Sequence, residues 1–388
     1  MSSTKRPLVP GDIVLGEALL CDVYGEHDVL LLRRGHVISN ERLLDKMMER
    51  GVFVDDADYA LFPSAQKKEE SPQEPNDTRS SLRLIQQANL QLDQLLVKLT
   101  EGDRDIKLLS DLKEIATQIR EAVEINPDVA LASILFNQKA DGYSARHSVA
   151  TAIIVLLMAQ SMQKPEAEID AIVGAALTMN VSLYALQEVL QSRESGPTPQ
   201  EAETIRRHPQ ASVEILKQLG LTDEAWLACV AHHHENIDGT GYPMGRSGAD
   251  IPENAKLIAT ADRYTALIAP RSYRPSILSG EALRNMLMDR GKGTDEAMAA
   301  NFVRVLGIYP PGSFVKLASG EIAIVTKRTK NSRAPIVHAL LAPRGSPLPF
   351  PHKRETEHER YAIREAVRPD WSIIPFTMQH IWGKEASD

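Results

Sequence analysis

From Ser80 onward the apolar residues fall at helical intervals. Ile85, Leu92 and Leu99 recur at seven, with Ala88, Leu95 and Leu96 beside them. This predicts a helix with one apolar stripe. It serves either to pack on its own domain or to form a dimer, and fewer than three heptads do not choose between the two. The helical pattern continues with short breaks to about residue 305. In YSARHSVATAIIVLLMA one face carries His147, Ala150, Thr151, Ile154 and Met158, so His147 points inward with the apolar stripe. Further on, Ile169, Ile172, Val173, Ala176, Leu177 and Asn180 share a face. Around Pro310-Pro311-Gly312 the pattern changes. SFVKLASGEIAIVTKR predicts a β-hairpin, Phe314–Leu317 and Ile322–Thr326 about a turn at Ser319-Gly320. Pro335 to Ala342 is a candidate third strand, and the tail from Pro343 is Pro-rich, then polar and weakly patterned.

Ahead of this, residues 1–62 form a small α+β module: a strand around Val29–Leu32, a turn at Gly35, a helix over ERLLDKMMER and a strand at Val52–Val54. Residues 63–78 are polar, charged on both signs and Pro-bearing, a linker composition. The expected organisation is therefore mainly α. A module over 1–62 and a linker over 63–78 lead to connecting helices over 79–124. A helical bundle over 125–325 closes on the short hairpin, and a β or irregular extension covers 326–388.

Composition narrows the function. The net charge of −8 over 388 residues argues against a nucleic-acid polymer or a membrane surface as partner, while leaving room for a small anion held by local arginines. The two cysteines, Cys21 and Cys229, are far apart and outside any zinc-ligand spacing. The N-terminus has no signal-peptide core, and the run AIIVLLMA is too short to span a bilayer. A cytoplasmic protein with reduced thiols is expected.

Candidate chemistry concentrates in HHHENIDGTGYP, His232 to Pro243. Successive helical residues lie about 100° apart, so at most two adjacent histidines converge. Asp238-Gly239-Thr240-Gly241 turns sharply, and Tyr242-Pro243 sets a ring and a stiff backbone after the turn. His208 precedes Pro209 at the expected start of another helix. Asp262 lies on an apolar helix, where a buried carboxylate needs a cation or donors. Arg271 and Arg274 follow where that helix ends.

The order His147, His208, His233-His234-Glu235, DGTGYP, ADRYTAL and PRSYRP resembles the HD-GYP family over about residues 125–325. These are helical domains of the HD superfamily that hydrolyse cyclic di-GMP at a two- or three-metal centre. The resemblance implies a divalent metal (Fe, Mn or Zn), with ligands among His147, His208, His233, His234 and Asp262. It implies nucleotide contact by Tyr242 and phosphate contact by Arg271 and Arg274. It also implies a cyclic dinucleotide as ligand, and a signalling-protein partner at the GYP loop as a further role.

This sequence departs from the family where LLHDIGK is expected. It reads LTMNVSL, with Met179 at the His position, Asn180 at the Asp position and Leu183 at the Lys position. A metal pair needs a bridging anionic oxygen to sit about 3.5–4 Å apart. Asn is neutral, and a thioether suits hard cations poorly. Three imidazoles can still hold one ion with an open position. The position that supplies a third-metal acid in some relatives is Tyr143. At most one metal is expected, with impaired catalysis and a binding or regulatory role. A one-metal phosphodiesterase or an interaction scaffold are the alternatives.

Overall fold

The computed structural model of the chain describes residues 5–8, 12–13, 18–25, 29–38, 47, 51–61, 79–136, 142–270, 276–289, 291–368, 374 and 376–387. The expected helix over 41–50, apart from Met47, and all of the linker over 63–78 lie outside them. The chain divides into two compact units, Met1–Asp77 and Thr78–Asp388.

The first unit is built on a four-stranded antiparallel sheet. Its strands β1 (Lys5–Pro7), β2 (Val23–Tyr24), β3 (Leu30–Leu32) and β4 (Phe53–Asp55) lie in the order β1-β4-β2-β3. Leu8, Leu19, Cys21, Val23, Ile38, Val52 and Val54 fill its core. Burial pushes the Cys21 thiol up to about 11, with nearby Asp58 and Asp22 adding to the effect, so it stays protonated and inert. β1 and β2 escape a pattern reading, because two or three residues carry too little alternation to register.

The second unit is the helical bundle and its sheet. Helices α1 (Ser81–Thr100) and α2 (Lys107–Ile125) pack together and against α4 (Tyr143–Ser161). Ile85, Ala88, Leu92, Leu95, Leu96 and Leu99 are all buried in the bundle core, so the stripe of α1 is spent within its own unit. The spacing in α4 suggests a one-sided helix, but nearly its whole surface is buried: it is the central helix, surrounded by α1, α2 and later elements. α3 (Pro127–Phe136) carries Phe136 onto Phe314 of the sheet and edge-on to Trp382, with ring centroids 6.4 and 6.0 Å away.

α5 (Glu166–Thr178) crosses α4 and meets α8 (Glu224–His232) at Gly174. A Cβ there would overlap the Trp226 indole, whose Nε1–H donates to Thr178 Oγ1 at 2.9 Å. The stretch Glu166–Ser192 is long and apolar enough to pass for a membrane span. Over its most apolar window it is 72% buried inside the bundle, as a core segment is. After Thr178 the helix breaks. Asn180 has φ −106° and ψ 15°, and a 3-10 turn over Val181–Leu183 leads into α6 (Tyr184–Ser192). α7 (Pro199–Gln218) and α9 (Glu253–Ile268) flank α8, and α10 (Ser279–Met288) and α11 (Glu296–Leu306) follow.

The unit ends in a five-stranded antiparallel sheet of order β8-β7-β6-β5-β9. β5 (Phe314–Leu317), β6 (Ile322–Lys327) and β7 (Ile336–Leu341) match the expected hairpin and third strand. β8 (Pro347–Glu355) and β9 (Ile363–Val367) come from the weakly patterned tail. Three prolines in β8 hide it from a pattern reading, yet an edge strand tolerates residues without an N–H. The sheet runs across residues 325 and 326, where the sequence pattern places a boundary.

Candidate metal centre

The site is assembled where α7 and α8 converge, and a proline helps to build it. The sequence pattern puts His208 at a helix start. It lies instead in the middle of α7, because Thr198 and Glu201 form a capping box ten residues earlier with Pro199 at N1. Pro209 therefore sits inside the helix, where its missing N–H leaves the Ile205 carbonyl without its i+4 donor. The His208 ring takes that carbonyl, with Nδ1 2.5 Å from Ile205 O. A carbonyl only accepts, so the proton is on Nδ1 and the Nε2 lone pair faces inward. His233, just past the end of α8, repeats the device: its Nδ1 donates at 2.7 Å to Val230 O, one of the orphan carbonyls of the last turn.

The two Nε2 atoms meet at 3.0 Å. With both rings neutral, two lone pairs confront each other, and only a cation between or beside them relieves the repulsion. A proton is a poor candidate. Burial, with His233 adding, pulls His208 down to about 3, and burial also lowers His233 and His234. His234 closes the cluster: ligand nitrogens of all three lie within 4.8 Å of one another. Three neutral, inward imidazoles are a donor set for one ion of the Zn, Fe or Mn type, so the residues fit a metal here.

Asp262 and His147 form the adjoining half. His147, on α4, donates from Nε2 to Asp262 Oδ1 of α9 at 2.7 Å, and Asp262 Oδ2 is 4.0 Å from His234 Nδ1. Burial alone would raise the Asp262 carboxyl. The His147 hydrogen bond and the neighbouring imidazoles outweigh it and hold the group well below the usual carboxylate range. His147 Nδ1 is buried without a partner among the described residues. Tyr143 stacks on the His147 ring at 5.6 Å and 17°.

A cavity of about 150 Å³ opens onto both halves, lined by His147, His234, Tyr242 and Asp262 together with Tyr143, Asn180 and Leu183. Asn180 faces it as expected, although by a different route: α5 stops two residues earlier and the 3-10 turn carries the side chain in. Ser182 fixes that turn, its Oγ donating to His208 O at 3.0 Å and meeting Ser212 Oγ at 2.9 Å. Met179 is not on the cavity wall; it is fully buried in the apolar core. Arg271 and Arg274 lie outside the described residues.

The loop after α8 presents Tyr242. Its ring stacks on His234 at 4.7 Å and 29°, and the Tyr242–Pro243 peptide is cis. Burial and the Asp262 charge push the phenol well above its ordinary value. A Cβ at Gly241 would overlap the backbone of His234 to Asn236, so the loop closes only on glycine. Two residues to which the sequence pattern assigns no role hold this loop. Glu235, buried, accepts from the backbone N–H of Met244 at 2.8 Å and of Arg246 at 2.9 Å. Arg263 donates to Asn236 Oδ1 at 2.9 Å and Thr294 Oγ1 at 2.8 Å. The signal for Glu235 is an acid between a helix end and a Gly-rich turn, whose free N–H groups need acceptors.

The fold and site thus define a helical domain with an inward histidine cluster and a buried His–Asp pair beside one cavity. A family profile described as an HD domain matches residues 130–298. Cyclic di-GMP phosphodiesterase PA4108 of Pseudomonas aeruginosa is 29% identical over 241 residues, 62% of this chain and 58% of that protein. Cyclic di-GMP phosphodiesterase PdeB of Borreliella burgdorferi is 26% identical over 200 residues, 51% and 52% of the two chains. The chain therefore spans little more than half the length of these relatives. A solved structure, Bd1817, a HDG"Y"P protein from Bdellovibrio bacteriovorus, aligns at TM-score 0.49 and 16% identity over 77% of this chain and 98% of that one. With an HD-domain match over residues 130–298 and a GYP segment at Gly241-Tyr242-Pro243, this part of the chain is similar to the HD-GYP cyclic di-GMP phosphodiesterases.

Proposed function

We propose that the chain binds cyclic di-GMP at this cavity, in the cytoplasm, as a binding or regulatory module with impaired hydrolysis. The observation that carries this is the cavity lining. Among the described lining residues Asp262 is the one carboxylate, Asn180 and Leu183 line the cavity with it, and there is no Lys or Arg. Two divalent ions at bridging distance repel each other and need a shared anionic oxygen. An amide at 180 offers no charge, so the residues do not fit a second ion. The three-histidine cluster fits one. When bound, such an ion supplies Lewis acidity toward a phosphate oxygen.

The chain's own residues do the rest. The Ile205 and Val230 carbonyls keep the inward nitrogens of His208 and His233 unprotonated. His147 holds Asp262 ionised and fixed. Tyr242 offers an aromatic ring at the cavity mouth. The relatives named as cyclic di-GMP phosphodiesterases support the choice of ligand.

Calorimetric titration of the purified chain with cyclic di-GMP, paired with a turnover assay in Mn²⁺ or Fe²⁺, tests the reading. Binding without turnover supports it; no binding at high micromolar ligand removes it. The intact three-histidine cluster favours one competing reading, hydrolysis with a single metal. Turnover that vanishes in His233→Ala would establish that reading instead.

A further inference from the structure

The Tyr242 ring lines two separate spaces. On the metal side His234 stacks on it. The ring also borders a groove of about 550 Å³ between α7 and the GYP loop. Arg206 overlies it there, its guanidinium carbon 5.8 Å from the ring centroid. Glu203, Arg206, Arg207, Gln210 and Glu214 line the wall, spaced along α7 as one stripe. Arg207 is tied to Glu203 at 2.6 Å. Arg206 has no carboxylate partner among the described residues, and its guanidinium rests on the ring of Tyr242.

We propose that this groove is a nucleobase subsite that takes one guanine of a cyclic dinucleotide, with Tyr242 as its stacking floor and Arg206 as its reader. The proposal deepens the reading above and rests on it. An aromatic floor suits any base, because every base has a π face. The edge chemistry selects guanine. A guanidinium donates in parallel to the O6 and N7 acceptors of guanine, and adenine presents a donor at the O6 position. Gln210 and Glu214 on the same stripe offer acceptors for the N–H groups of the opposite edge. A base sandwiched between ring and guanidinium would need about 7 Å, two contact distances of about 3.5 Å. Arg206 is closer than that, so on binding it swings from above the ring to the edge of the base. Its exposed side chain is free to do so. The groove also supplies a cation near the ligand that Leu183 does not supply in the cavity.

The test is calorimetry on the full chain with cyclic di-GMP and cyclic di-AMP, comparing wild type, Arg206→Ala and Arg206→Lys, with bound metal measured in each. Wild type should prefer the guanine ligand. Arg206→Ala should weaken cyclic di-GMP about tenfold or more, the scale of a lost bidentate contact to a base edge. It should leave cyclic di-AMP affinity and metal content unchanged, and Arg206→Lys should fall between. A cyclic di-GMP affinity in Arg206→Ala equal to wild type would overturn the subsite and leave the proposed function standing. Equal losses for both ligands, with inorganic phosphate competing, would make Arg206 a phosphate contact and also overturn it. A wild type that binds neither ligand removes the proposed function, and the subsite with it.

Discussion

Adding a divalent ion should stabilise the protein through one cluster, and removing one imidazole should abolish the effect. His208 and His233 point Nε2 lone pairs at each other across 3.0 Å, with both Nδ1 protons committed to carbonyls. An ion that binds the folded state at a free concentration a hundredfold above its dissociation constant stabilises it by about 2.7 kcal/mol. The unit Thr78–Asp388 holds about 310 residues. At about 2.1 cal/mol/K per residue its unfolding entropy is about 0.65 kcal/mol/K, so the melting temperature should rise by about 4 °C. His233→Ala lowers the baseline as well, since it also deletes the bond to Val230 O. The quantity to read is therefore the difference with and without Zn²⁺ or Mn²⁺, by scanning fluorimetry or calorimetry. In His233→Ala that difference should shrink to below about 1 °C. A full metal-induced shift in His233→Ala, or none in the wild type, would refute the lone-pair argument.

Three further outcomes follow from the same geometry. Burial holds His208, His233 and His234 below the ordinary value near 6.5, so they stay neutral in the folded state while the unfolded chain takes up protons. Stability is then fully present above pH 6.5 and falls as pH drops below it, by up to about 1.4 kcal/mol per pH unit for each imidazole, for His208 down to about 3; denaturation at pH 7 and 5 should show His234→Ala losing less than wild type. Gly241→Ala forces a Cβ into the His234–Asn236 backbone and should displace Tyr242, weakening cyclic di-GMP binding at least about tenfold with metal content retained, as calorimetry and metal analysis would show. Asn180→Asp with Leu183→Lys, both on the cavity wall, should gain a second metal equivalent and measurable hydrolysis. Unchanged metal content in that variant would count against the role given to Asn180.

Much of this is legible in the chain because period and position agree over long stretches. The stripe of α1 and the inward placement of His147 and Asp262 follow from spacing, whereas Asn180 reaches the cavity through a turn that spacing does not show. What stays hidden depends on partners distant in sequence. α4 looks amphipathic because a sequence shows which face is most apolar, not how many neighbours surround it. Pro209 suggests a helix start, whereas a capping box ten residues upstream sets the start and leaves the proline to free a carbonyl for His208. β8 is masked by prolines that only its edge position excuses. Met179 and Asn180 are adjacent, yet one enters the apolar core and the other the cavity, because the helix ends at Thr178 just before them and a turn replaces it. The three-way convergence of His208, His233 and His234 needs α7 and α8 in place, and no local pattern reports it.

The number of divalent ions the chain retains decides whether an amide at 180 excludes a metal pair. The most direct measurement is the metal-to-protein ratio by inductively coupled plasma mass spectrometry, after reconstitution with Mn²⁺, Fe²⁺ or Zn²⁺ and removal of excess ion. One equivalent per chain, lost in His208→Ala and in His233→Ala, is the predicted result. Two equivalents in the wild type would show that Asn180 does not prevent a metal pair, and would contradict the account.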